Sequence, residues 1–153
     1  MAFELKWEVE GVTELSRRLN FLDSELKDFT PAFRKSASQL KSFVSGEVFD
    51  SEGAVYGAKW APLNPAYEAF KQSKYPGKGI LERTGKMRKS FKTQHSADFA
   101  VVYNGAKYFG YHQSRAARNT RLPRRVMLKL DGPRKEMIVK IFQAEFFKKV
   151  KKA

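Results

Sequence analysis

The stretch YFGYHQSRAARNTRLPRR, residues 108–125, holds five arginines and one histidine and no carboxylate. Side chains of these types support three kinds of work. Arginines beside aromatic rings can grip phosphates and stack bases. A histidine can serve as general base, nucleophile or metal ligand. A basic loop can also meet another subunit.

What surrounds the histidine tests the catalytic option. A general-base His112 wants an acid to orient it, and residues 99–130 contain none. Glu47 or Asp50 could approach it only through the fold. The other histidine, His95, lies seventeen residues away, so no clustered metal-ligand spacing forms. Cysteine is absent, which removes disulfides, thiolate zinc sites and cysteine nucleophiles together. GKGILERTGKM superficially matches a phosphate-binding loop, but that loop needs four residues between its glycines and Ser or Thr after the lysine. Here five residues separate Gly79 from Gly85, and Met87 follows Lys86. The expectation is a protein that is not an enzyme, with no cofactor, no metal and no small-molecule substrate, in which His112 is a packed side chain on a short aromatic helix.

Phosphate contact fares better. Arg115, Arg118, Arg121, Arg124 and Arg125 could neutralise several phosphates, with Tyr108, Phe109 and Tyr111 beside them. No zinc finger, RNP motif or helix-turn-helix frames them, so any nucleic-acid binding would be backbone-directed and blind to sequence. The charge distribution points the same way. The chain of 153 residues carries a net charge of +14. Residues 1–75 hold ten Lys/Arg against eleven Asp/Glu, a sum of −1, and residues 76–153 hold twenty against five, a sum of +15. Such a one-signed half attracts phosphate, anionic lipid or an acidic protein surface.

The elements that must position these residues follow from periodicity and punctuation. Length predicts one domain over 1–153, large enough for a core without disulfides. Phe3, Leu5, Trp7 and Val9 alternate with charges and predict a strand ended by Gly11. That pattern holds no signal-peptide core, and no run is long enough to cross a membrane. Val12, Leu15, Leu19, Leu22 and Leu26 line one side of a helix. A second helix is expected after Thr30 as N-cap and Pro31, with the stripe Phe33, Ala37, Leu40, Val44 and Val48, the two helices forming an antiparallel pair. Residues 50–65 read as a loop. Its Trp60, Pro62 and Leu63, with Tyr67 just beyond, must pack on the domain's own core or wait for a partner. A short helix from Ala66 to about Lys74 precedes the turn YPGKG. ILERTGKMRKSF predicts a short helical segment interrupted near Thr84-Gly85. FKTQHS and FAVVYNG predict an antiparallel hairpin. Val139, Phe142, Phe146 and Val150 predict the buried stripe of a closing helix from Pro133 onward. The class is α+β, helices at both ends packed on a small antiparallel sheet built from the N-terminal strand, the 91–103 hairpin and a third strand at 125–130.

Four short motifs recur in a fixed order: Gly57-x-x-Trp60-x-Pro62-Leu63; Ile80-Leu81-x-x-Thr84-Gly85-x-Met87-x-x-Ser90; Tyr108-x-x-x-His112-Gln113; and Leu122-Pro123-x-Arg125. In this order they resemble the phage virion morphogenesis family, the tail-completion proteins of Mu-like and related tailed phages. The chain departs from that pattern at Ser114-Arg115, where glycine or an aromatic-glycine pair is usual, and at Val126, where a turn-favouring residue is usual. The resemblance implies a virion structural protein that assembles at the head-proximal end of the tail and helps join it to the DNA-filled head. It implies a homo-oligomeric ring with neck and tail-end proteins as partners, placed in the virion and assembled in the host cytoplasm. Trp60, Pro62, Leu63, Tyr67, Leu81, Thr84, Gly85, His112 and Gln113 are then expected at subunit or partner contacts. The arginines at 115, 118, 121, 124 and 125 are expected on a projecting basic region, 108–126, facing the DNA channel or an acidic partner. The alternative is a sequence-independent nucleic-acid-binding protein that uses the basic C-terminal half.

Overall fold

The computed structural model describes residues 12–113 and 122–152, with the side chains of 12–16 excepted. The expected strand at 3–9 and the arginines at 115, 118 and 121 lie outside the described residues. Helix α1 runs Val12–Glu25, α2 Thr30–Ser45 and α3 Glu47–Asp50, followed by a 3-10 turn at Ala54–Tyr56. Then come α4 at Pro65–Lys74, α5 at Lys86–Lys89, strands β1 at Phe91–His95 and β2 at Ala100–Asn104, α6 at Phe109–Gln113 and α7 at Gly132–Lys152. The class is α+β.

Local chemistry explains most of these boundaries. The N-cap of α2 is not Thr30 but Phe29, and the Asp28 carboxylate before it accepts from the Thr30 N–H at 2.9 Å and from its hydroxyl at 2.5 Å. That leaves Thr30 free to start the helix beside Pro31. α2 and α3 are separated at Gly46, where an added Cβ would lie 2.8 Å from the Ser42 carbonyl oxygen. The side chain of Asn64 caps α4 by accepting from Ala66 N–H at 3.0 Å, and Pro65 needs no partner. Only Lys86–Lys89 of the expected 80–91 segment is helical, because Gly85 enters at φ 73° and Leu81 at φ 63°, both incompatible with continued helix. Asp131 caps α7, its carboxylate accepting from Arg134 N–H at 3.2 Å.

The hairpin pairs Phe91 with Asn104 through His95 with Ala100. Alternation turns Phe91 and Val102 toward α2, leaving Lys92, Val101 and Tyr103 outside. Residues 125–130 do not form the expected third strand. They are extended, but side chains rather than a neighbouring strand occupy their backbone groups.

The core is a cluster of Phe43, Val44, Val48, Phe49, Trp60, Met87, Phe91, Ala106 and Met127. Phe49 is its hub, edge-on to Trp60 at 5.4 Å and to Phe91 at 6.3 Å between ring centres. Edge-to-face pairs of this kind add to the stabilisation that burial supplies.

Two helical faces differ from expectation. α2 packs against the hairpin and α7, while α1 lies against α7 rather than forming the expected antiparallel pair with α2. Leu19 and Leu26 of the α1 stripe are exposed. On α7, Val139, Phe146 and Val150 are exposed too, and the inward face instead carries Ile141, Phe142 and Lys149. The reason is the α1–α2 link. Phe142 stacks on Phe29 at 5.7 Å and meets Phe33 edge-on at 4.8 Å. Lys149 buries its stem there and sets its ammonium 5.5 Å from the Phe29 ring centre and 3.6 Å from Glu25, a long side chain lying on apolar surface with its charge paired.

Candidate functional site: a cleft lined by three loops and two helices

The segment 122–129 has no ladder partner, so its polar groups must be satisfied some other way. Side chains from the motifs do this. The Gln113 Oε1 accepts from the N–H groups of Met127 at 2.8 Å and Leu128 at 3.0 Å, while its Nε2 donates to the Leu128 carbonyl at 2.7 Å. A side-chain amide thus stands in for a strand edge. From the other side, the Trp60 indole N–H donates to the Val126 carbonyl at 2.9 Å. The Tyr56 hydroxyl lies 3.2 Å from the carbonyl oxygens of both Met127 and Lys129, and burial pushes its pKa up to about 12.

Arg125 completes the join. Its backbone N–H donates to the His112 carbonyl at 2.9 Å, and its guanidinium reaches back to the 50–65 loop. Nε donates to the Ala61 carbonyl at 2.9 Å and Nη2 to the Pro62 carbonyl at 3.1 Å. With 3% of its surface exposed, Arg125 is an internal strut. The expectation that it projects toward a channel or partner is therefore corrected. A guanidinium presents donors in a fixed fork that suits two adjacent carbonyls, and here Nε and Nη2 are so bound. Arg124 is exposed, with Nε donating to the Gln113 carbonyl at 3.1 Å.

Around this join opens a cleft of about 640 Å³. Its walls come from the 62–64 loop and the first turns of α4 (Pro62, Leu63, Asn64, Tyr67, Lys71), from the 81–87 segment (Leu81, Arg83, Thr84, Met87), from the start and end of the 108–112 stretch (Tyr108, His112), and from Leu122, Pro123 and Arg125. Seven of the fourteen residues anticipated at contacts, Pro62, Leu63, Tyr67, Leu81, Thr84, His112 and Arg125, meet here. Trp60 does not line the cleft. It packs below it in the core, which is the self-packed option for that loop, and Gly53 at φ 84° makes room for the indole: a Cβ there would sit 2.4 Å from Trp60 Nε1. Gly85 and Gln113 act from behind, one turning the chain into α5 and the other holding 127–128.

Residues that periodicity did not single out complete the cleft. Lys71 is buried, its ammonium donating to the Gly79 carbonyl. Burial pushes its pKa below the ordinary lysine value, opposed by the fields of Glu82 and Glu52. The available signal was its position four residues after Tyr67, on the same face of α4. Arg83 lies at the rim, with its guanidinium 5.8 Å from the Tyr75 ring centre. Leu81 holds a left-handed backbone that costs a branched side chain on the order of 1–2 kcal/mol. Its motif neighbours fix it there: the Ile80 N–H donates to Glu52 Oε1 at 3.2 Å, and Arg88 ties Glu82 at 2.8 Å to Asp50 at 2.7 Å.

His112 is half-buried, and its Nδ1 is buried without a hydrogen-bond partner. Burial, and after it the Arg125 charge, hold its pKa below the ordinary histidine value. It therefore favours the neutral imidazole at neutral pH and has no orienting carboxylate among the described residues. Among the described residues no group of three or more His, Asp or Glu side chains could hold a metal ion, and no helix is long and apolar enough to cross a membrane.

The model of the phage virion morphogenesis family matches residues 11–146, and so takes in all four motifs, α1 and most of α7. Curated proteins and solved structures give no match.

Proposed function

Because the chain belongs to the phage virion morphogenesis family, and so has a structural role in phage assembly, we propose that it completes the head-proximal end of a tail and joins that tail to the DNA-filled head. It does so as one subunit of a homo-oligomeric ring in the neck, assembled in the host cytoplasm, with neck and tail-end proteins as neighbours. The observation that carries this is convergence. Residues from motifs spread over about seventy positions are drawn to one cleft, held by internal hydrogen bonds and lining it with apolar groups, with the exposed Arg83 at its rim. A surface built this way suits docking to another protein, and a cyclic ring requires each subunit to offer two different faces.

A phage lacking this protein should accumulate DNA-filled heads and tails left unfinished at their head-proximal end, and the purified protein should restore joining when the two are mixed. Normal virions in its absence would sink the proposal. The charge asymmetry supports a second reading, a sequence-independent nucleic-acid-binding protein. A strict monomer that ignores neck and tail components yet binds duplex tightly at physiological salt would favour it. The same charge also suits a ring subunit whose basic half faces the channel through which DNA passes.

A further inference from the structure

We propose that the cleft is a receptor for an extended acidic peptide segment of a neighbouring virion protein, seating one bulky aliphatic or aromatic side chain between its walls and a flanking carboxylate on its cations. The proposal rests on the assembly role and names the chemistry of the contact.

The cleft's size, about 640 Å³, is that of a ligand site. Its walls offer Leu63, Tyr67, Leu81, Met87 and Leu122, which would take a large apolar side chain out of water. Its polar content is one-signed. Lys71, Arg83 and Arg125 line it, and among the described residues no carboxylate does, the acids Glu82, Glu52 and Glu68 acting on Lys71 from outside its walls. Buried cations are normally paired with an anion. Arg125 is 3% exposed and is held by the neutral carbonyls of Ala61 and Pro62 through Nε and Nη2. Its Nη1 donates to nothing among the described residues. Desolvation alone acts on its pKa, and no carboxylate offsets it. A side-chain carboxylate on a peptide laid along the cleft would supply the missing anion.

Peptide fits better than nucleic acid because non-aromatic apolar residues, Pro62, Leu63, Leu81, Met87, Leu122 and Pro123, outnumber the three rings, Tyr67, Tyr108 and His112, among the described lining residues. Bases stack on flat aromatic platforms, and a duplex backbone needs no apolar wall.

The test uses the full chain and the anionic fluorophore 8-anilinonaphthalene-1-sulfonate as reporter, displaced by synthetic peptides. Acetyl-EEFLEE-amide should displace it; acetyl-KKFLKK-amide, acetyl-EEGSEE-amide and a short oligothymidylate should not. Arg83→Glu should weaken the acidic peptide about tenfold, the scale of one charge-assisted contact. Leu122→Asp should abolish displacement. Both side chains are exposed at the rim, so an unchanged circular dichroism spectrum separates lost binding from lost fold. Equal displacement by the basic peptide, displacement by the oligothymidylate alone, or indifference to both substitutions would overturn the proposal. In the phage, Arg83→Glu should block joining. Normal joining with that variant, where deletion of the protein blocks it, defeats the cleft proposal and leaves the assembly role standing. Normal joining after deletion defeats the assembly role, and with it the claim that the peptide comes from a virion neighbour.

Discussion

The motif region and the helical arm of this molecule solve opposite problems. Between residues 56 and 67, 80 and 90, 106 and 113, and 122 and 129, the chain holds only short helical pieces, yet side chains bind the backbone groups of 126–129, and Trp60, Met87 and Met127 are buried. In α1 and α7 the structure is regular, yet Leu19, Val139, Phe146, Phe147 and Val150 remain exposed. Irregular backbone must be satisfied by specific side chains, so it demands particular residues at particular positions. A helix satisfies its own backbone and tolerates almost any apolar pattern that leaves one face for packing. The motifs are dense where the fold depends on side chains for closure.

Substitutions can break or sharpen that contrast. Trp60→Ala should be the most damaging, about 3–5 kcal/mol by urea unfolding, because it removes an indole from the core and orphans the Val126 carbonyl. A loss no larger than that of an average surface substitution would mean the region is held otherwise. Next comes Arg125→Met, which keeps the bulk but frees the Ala61 and Pro62 carbonyls, with a loss of about 2–4 kcal/mol. Arg125→Lys should not rescue it, since one ammonium cannot span both. Gln113→Ala should cost about 2–3 kcal/mol and speed amide exchange at Met127 and Leu128, the two N–H groups it holds. His112 sets a smaller, pH-dependent effect. Its pKa is lowered in the fold, so the unfolded chain protonates first as pH falls. Its contribution is intact above the ordinary histidine value of about 6.5 and is lost as pH falls from there toward the depressed folded value. Unfolding curves between about pH 8 and pH 5.5 should show that slope, and His112→Gln should flatten it. At the small end, Phe147→Ser, at a side chain 61% exposed, should change stability by no more than about 0.5 kcal/mol. A larger loss would show that the arm is covered in the protein as it stands in solution.

The class, the hairpin register and the helix positions were legible because they depend on neighbours within a few residues. Alternation places β1 and β2, Asn104-Gly105 closes the hairpin, and Asn64-Pro65 opens α4. Membership in the family was legible through motif order. Direction was not. The stripe on α7 was misassigned because Lys149 beat Val150 to the interior, which became possible only once Phe29 and Glu25 were beside it. Arg124 and Arg125 are indistinguishable in the sequence, and one is exposed while the other is 3% exposed. By itself the sequence determined the long helices α2 and α7, the hairpin, and that the second half would be strongly basic. Only the tertiary structure decided which cations were surrendered to internal carbonyls and which apolar faces were covered. Hydrogen bonding along the backbone is settled locally, whereas desolvation is settled by whatever the rest of the chain brings near.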